Sequence, residues 1–308
     1  MNFADRVCAV VDTQGPLVVG LDPHLSLMPR FLMEKDSGER ADTFEKISSA
    51  VLDGNRIVLR ALRDIAGIVK IQMALYEMLG LPGLSTLVET CREAREMEYL
   101  VILDGKRNDI SSTARGYATG YLSSVSVFDD LKIPSFWQVD AMTVNPYLGE
   151  DGLLPFFDEA SRSEKGVFVL CRTSNPSASF VQDEGKGEKL FFKVANLVEE
   201  LGKPLVGERG LSSAGIVVGA TYPADLKDLR KRHPSLLFLV PGIGAQQGDL
   251  EALRFAFRED RQGVLVNVSR DILYAYRESG DRYGQDFGEK ARIRAREYQD
   301  RLLALGRR

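Results

Sequence analysis

The residues best suited to chemistry lie in one short stretch, Leu103-Asp104-Gly105-Lys106-Arg107-Asn108-Asp109-Ile110, and in a lysine inside an apolar run, Ile68-Val69-Lys70-Ile71. A charge within a buried strand is costly unless it is paired. Lys70 therefore requires a carboxylate, and Asp104 on the next strand is the nearest candidate. Asp104 and Lys106 are two apart, so at a strand end they project to the same side. Lys70, Asp104, Lys106 and Asp109 can then form an alternating chain of opposite charges, which holds Lys106 protonated beside a fixed anion. Such an array suits a reaction in which negative charge moves on a bound substrate and a proton is delivered to carbon. D-x-K-x-x-D alone is a short pattern that arises by chance on solvated loops. Its place after an apolar strand, with a strand lysine upstream, makes it more specific. An internal ion pair that merely fills space is the competing explanation. The gathering of acids and lysines at the same end of several strands weighs against it.

A second group reads as an anion site. Pro241-Gly242-Ile243-Gly244 follows one apolar run and Asn267-Val268-Ser269-Arg270 closes another. Glycines permit close backbone approach and an arginine supplies a forked cation. An isolated arginine is most simply a surface residue; the neighbouring Pro-Gly-Ile-Gly reverses that preference. His24, after Gly20-Leu21-Asp22-Pro23, is placed near the same end. His233, within Arg232-His233-Pro234, reads as a surface residue. The two histidines are far apart and lack metal-ligand spacing, so neither a histidine zinc site nor a Ser-His-Asp triad is supported. No P-loop or dinucleotide glycine signature opens a helix after the first strand. Cys171 reads as a small buried residue, and Trp137 as core or interface.

These groups must be carried by a scaffold. Strand-like runs are expected at 17–21, 67–71, 99–103, 136–144, 166–171, 214–220, 236–240 and 263–268. Several are continuous Val, Ile and Leu rather than alternating, as in parallel strands buried on both faces. Helical spacing covers 3–11, 44–66, 83–97 and 289–305, and loops are expected at 28–39, 174–187 and 278–288. Eight strands alternating with helices indicate an α/β fold, a single (β/α)8 TIM barrel with N- and C-terminal helical extensions, occupying 1–308 as one domain. A doubly wound open sheet is the alternative. In a barrel all the polar strand ends meet at one mouth, and the 174–187 loop is either a lid over it or a plain surface insertion.

Composition sets outer limits. The 308 residues are 44% hydrophobic and 27% charged, which excludes wholesale disorder. Forty Lys and Arg against 44 Asp and Glu give a net charge of −4. A nucleic-acid binder normally has a basic excess, so no nucleic-acid partner is expected, although one small anion needs only a few local cations. Three scattered cysteines, no C-x-x-C, no signal-like N-terminus and no span-length apolar run point to a cytoplasmic protein without membrane association.

The chain resembles orotidine 5′-phosphate decarboxylases, in particular their longer bacterial group. Residues 103–114 are similar to the family's D-x-K-R-x-D-I-x-x-T signature. Further matches run in order: Gly20-Leu21-Asp22-Pro23, Val69-Lys70-Ile71-Gln72 with Tyr76-Glu77, Asp140 to Tyr147, Arg172-Thr173-Ser174-Asn175-Pro176, Pro241 to Gly244, and Asn267 to Arg270. The resemblance implies decarboxylation of orotidine 5′-monophosphate to uridine 5′-monophosphate, without metal or other cofactor. It implies a tetrad of Lys70, Asp104, Lys106 and Asp109, with Lys106 as proton donor to C6 and Asp104 pressed against the substrate carboxylate. Asp109 and Thr113 would act across a homodimer interface in shared active sites. Asp22 would contact the ribose, Ser174 the pyrimidine, and Arg270, beside Ser269 and opposite Pro241, the phosphate. Gln246 or Gln247 would bridge phosphate and base. Ser269 stands where shorter members of the family carry glycine. Two other functions stay open: a magnesium-dependent sugar-phosphate lyase on a related barrel, disfavoured for want of a second-strand acid and a mouth histidine, and a non-catalytic phosphate-ligand sensor.

Overall fold

The computed structural model describes residues 1–34, 41–128, 130–243, 250–280 and 283–305. Eight parallel strands close into a barrel: β1 (Leu17–Leu21), β2 (Ile68–Gln72), β3 (Leu100–Arg107), β4 (Ala141–Val144), β5 (Gly166–Arg172), β6 (Ser212–Val218), β7 (Leu236–Val240) and β8 (Val264–Val268). Each pairs with its sequence neighbours, and β8 closes on β1 with Val18 opposite Asn267. The TIM-barrel fold expected from the sequence is the one observed, and the open sheet is not.

The helices are α1 (Phe3–Gln14), α2 (Phe44–Leu62), α3 (Gly80–Glu96), α4 (Ser111–Leu122), α5 (Glu150–Arg162), α6 (Leu190–Gly202), α7 (Pro223–Arg232) and α8 (Phe287–Leu305). Helices α2 to α7 and α8 cover the outside of the sheet, where outward strand residues such as Val19, Val69, Val101 and Val266 join the larger buried cluster. Inward residues form a second cluster with Phe3, Ala4, Val7, Cys8 and Val11 of α1. That helix therefore plugs the N-terminal end of the barrel, where Phe3 packs edge-on against Phe168 at 6.0 Å. Among the described residues no helix is long and apolar enough to cross a membrane.

Three expectations need correction. The 136–144 strand shrinks to β4, because Gln138 has φ +50° and the Phe136 side chain is exposed. Before it lies an unexpected antiparallel hairpin, Ser124–Val127 with Leu131–Pro134. Its residues are exposed on both faces, so they lack the one-sided alternation that marks a strand in sequence. His233 is buried, not superficial: it is 2% exposed and its Nδ1 lies 2.9 Å from Glu199. Cys8, Cys91 and Cys171 are buried free thiols. Burial pushes Cys8 up to about 11 and Cys91 up to about 12.

Candidate active site

Strand parity builds the site. Side chains two apart share a face, so the inward apolar residues deep in the barrel continue upward as polar ones. Ile68 is followed by Lys70 and Gln72, Ile102 by Asp104 and Lys106, and Leu265 by Asn267 and Ser269. Val18 on β1 leads in the same way to Gly20 and Asp22. These polar residues line an open cleft of about 270 Å³ that also includes Leu170, Val217 and Leu239.

At its centre lies a chain of charges. Lys70 Nζ donates to Asp104 Oδ2 at 3.0 Å, and Lys106 Nζ donates to Asp104 Oδ1 at 2.6 Å. The Thr143 hydroxyl donates to Asp104 Oδ1 at 2.7 Å, and the Gln72 amide donates to Oδ2 at 3.1 Å. Burial opposes ionisation of Asp104, but the two ammonium groups and the Lys106 and Thr143 hydrogen bonds outweigh it and hold the carboxyl far below the usual range. Lys70 is desolvated too, yet Asp104 and Asp22 raise it above the ordinary lysine value. Both charges are thus fixed before any ligand arrives.

Lys106 differs from Lys70 in two ways. Its side chain is 43% exposed against 4% for Lys70, so both line the cleft but Lys106 is far the more accessible of the pair. Its backbone is left-handed, at φ +48°. That conformation is rare for a side chain of this kind and costs about 1–3 kcal/mol. The Thr143 hydroxyl accepts the Lys106 N–H at 3.0 Å and holds the peptide there. One threonine on β4 therefore fixes both the anion and the cation beside it.

On the opposite wall, Asp22 Oδ1 is buried without a hydrogen-bond donor, 3.8 Å from Lys70 Nζ. Tyr274, whose hydroxyl donates to the Asp22 carbonyl at 3.0 Å, steadies this strand end. Asn267 Oδ1 is likewise buried and unmatched, while its Nδ2 donates to Ser269 Oγ at 3.2 Å. Gly20 makes room for that pair: a Cβ there would sit 1.9 Å from Ser269 Oγ. Arg270 lies beyond at the rim, exposed, with Pro241 and Ser174 also lining the cleft.

The sequence model of the orotidine 5′-phosphate decarboxylase / HUMPS family matches residues 15–280, which include the whole barrel. The chain belongs to this family. It is 38% identical over 279 residues to an orotidine 5′-phosphate decarboxylase of Caldicellulosiruptor bescii, covering 90% of this chain and 91% of that protein. It is 39% identical over 279 residues to one of Rhodopirellula baltica, covering 90% of each. Among solved structures, an OMP decarboxylase of Leishmania donovani superposes with a TM-score of 0.75 at 30% identity over the full length of both chains.

Of the residues expected from the decarboxylase resemblance, Asp22, Lys70, Asp104, Lys106, Ser174, Pro241, Ser269 and Arg270 share this cleft. Asp109 and Thr113 do not line it. After Lys106 the chain turns out toward α4, and Asp109 accepts the N–H of Ile110 at 2.8 Å. The alternating chain of charges thus ends at Lys106 within this chain. Gln246 and Gln247 lie outside the described residues. Sequence reasoning gave no role to Gln72, Thr143 or Asn267, although all three stand inside the quoted motifs. Inward parity on β2, β4 and β8 is the signal that could have found them. His24 does not line the cleft.

Proposed function

We propose that the protein decarboxylates orotidine 5′-monophosphate to uridine 5′-monophosphate and CO2, the last step of uridine nucleotide synthesis. The observation that carries this is the Lys70–Asp104–Lys106 ion chain, with Lys106 held in a left-handed backbone and turned into the cleft. Loss of CO2 leaves an electron pair on C6 of the pyrimidine, and the ring gives it no resonance sink. The Lys106 ammonium stabilises this developing carbanion and then delivers its proton to C6, taking up the electron pair as a new C–H bond. Asp104, already ionised, lies against the substrate carboxylate and disfavours it relative to the transition state. The step is redox-neutral, and Lys106 supplies both the charge that steadies the carbanion and the proton that quenches it, so it balances without a cofactor or metal.

The remaining assignments follow the cleft. Asp22 takes a ribose hydroxyl, which supplies the donor its buried oxygen lacks. Ser174 faces the pyrimidine, while Arg270, with Ser269 and Pro241 beside it, holds the phosphate, and Gln246 or Gln247 bridges phosphate and base. Phosphate binding lends energy to the distant reacting centre and to water exclusion. Asp109 and Thr113 complete the tetrad and the ribose site of a second subunit. Supporting such a homodimer, Ile110, Tyr147 and Leu148 beside α4, and Phe128, Leu131 and Ile133 on the adjoining hairpin, are exposed apolar side chains. The whole chain acts as one barrel domain in the cytoplasm.

The test is an absorbance assay of the purified, chelator-treated protein with orotidine 5′-monophosphate. Turnover that survives chelation is expected. Activity lost on chelation would favour the magnesium-dependent lyase, and tight nucleotide binding without turnover would favour the sensor.

A further inference from the structure

Arg172, the last residue of β5, is 2% exposed and lies outside the cleft, yet the loop that follows it carries Ser174 and Asn175 into the cleft. A buried guanidinium is retained only where its surroundings repay the loss of water. Here its Nε donates to Asp225 Oδ2 at 3.0 Å, in the first turn of α7. Its plane lies over Tyr222 at 3.9 Å and over Phe191 of α6 at 5.1 Å. The remaining edge faces Asp183 at the far end of the loop, with Nη1 at 3.2 Å from Oδ1 and Nη2 at 3.4 Å from Oδ2.

Three further contacts bind the same segment. Gln182 Oε1 accepts the Thr173 N–H at 2.9 Å, and its Nε2 donates to Thr173 Oγ at 2.6 Å. Gly219, after β6, donates its N–H to the Arg172 carbonyl at 2.7 Å. A Cβ on Gly219 would lie 2.9 Å from the Ser174 Cβ and 3.0 Å from its backbone nitrogen, so only glycine lets Ser174 seat there. Both ends of residues 173–183 are therefore pinned at one point, and the pin is Arg172.

We propose that Arg172 is a positioning residue: clamped between Asp225 on the scaffold and Asp183 on the loop, it sets where Ser174 and Asn175 meet the substrate. The two grips are unequal. Asp225 accepts a close, aligned bond, whereas Asp183 makes a longer two-pronged contact that it shares with Lys189 at 3.3 Å. The scaffold side holds the arginine, and the loop side transmits its position. The consequence for turnover rests on the proposed decarboxylation, because the pyrimidine contact of Ser174 is part of that reading.

The experiment compares Asp183→Asn, Arg172→Lys and wild type for melting temperature, decarboxylation kinetics and tryptic cleavage after Lys186. Asp183→Asn is expected to keep the wild-type melting temperature while kcat/KM falls about 10- to 100-fold, the effect of a misplaced contact residue. Arg172→Lys keeps the charge but loses the planar fork, so its kcat/KM should fall below wild type as well. Cleavage after Lys186 should quicken at least about tenfold in Asp183→Asn, because the loop opens without global unfolding. Wild-type turnover in the same assay checks the underlying reading, and the cleavage arm checks the clamp without any turnover. Wild-type kcat/KM and cleavage rate in Asp183→Asn would overturn the proposal, as would a fall in activity that only tracks a lowered melting temperature.

Discussion

Each end of the barrel holds a buried aspartate facing two cations. At the mouth Asp104 accepts from Lys70 and Lys106. At the opposite end Asp140, 2% exposed, accepts from Arg6 of α1 at 2.7 Å and lies 3.6 Å from Lys165. The two differ in what surrounds the second cation. Around Asp140 all the partners belong to a closed end: its Oδ2 also accepts the Val101 N–H at 3.0 Å, and Arg6 donates onward to the Glu164 carbonyl. Around Asp104, Lys106 stands in a strained backbone with its ammonium toward an open cleft. The same pair of charge types therefore fastens a plug at one end and turns an exposed ammonium toward a cleft at the other. Strand direction decides which, because loops after parallel strands stay open while the N-terminal face is free to be sealed.

Changes at each end should separate these roles. The largest effect is expected for Lys106→Ala, with turnover reduced by about 10⁴-fold, the upper range for removing a positioned proton donor. The melting temperature should stay near wild type, since a 43% exposed side chain adds little to packing. Residual activity near wild type would remove Lys106 from the donor role.

A smaller effect is expected from Gly20→Ala, which drives a methyl into Ser269 Oγ. Overpacking of this kind costs about 1–3 kcal/mol, seen as a lower urea midpoint. The double variant Gly20→Ala with Ser269→Gly should regain most of it, and absence of that rescue would disprove the interlock.

The smallest effect concerns pH, and its sign differs between the ends. Burial lowers Lys165 below the ordinary lysine value, a loss that Asp140 offsets only in part. The folded chain thus sheds that proton before the unfolded chain does, and the contribution of Lys165 to stability rises with pH below about 10.4. Lys70 is raised, so its contribution is fully present below that value and is lost as pH climbs past it. Lys165→Gln should therefore change stability at neutral pH by no more than about 1 kcal/mol. It should also make the stability profile between about pH 8 and 10 flatter or more downward-sloping. An unchanged alkaline profile would show that Lys165 does not titrate as its burial implies.

Much of this division was legible in the sequence, for a physical reason. A parallel strand buried on both faces is a nearly unbroken apolar run, so Lys70 inside one and Asp104 at the end of another stood out against it. The motif around Lys106 and the resemblance it carries brought Asp22, Ser174, Ser269 and Arg270 to the same cleft. What escaped depends on contacts between distant segments. Thr143 reads as an ordinary strand residue until β3 and β4 pair and bring it under Lys106. His233, in a charged stretch before proline, looks solvated until α6 supplies Glu199. The 124–134 hairpin has no buried face of its own to leave a period in the sequence.

The most direct measurement sets the two aspartates side by side: the rate of orotidine 5′-monophosphate decarboxylation, per folded molecule, in Asp104→Asn and in Asp140→Asn. Asp104→Asn should lose about 10³-fold in kcat, the scale of removing one preorganised electrostatic group. Asp140→Asn should keep the wild-type kcat while losing about 2 kcal/mol of stability, less than a fully buried pair because the Arg6 side chain is 30% exposed. Equal rates in the two variants would contradict the assignment of chemistry to the mouth.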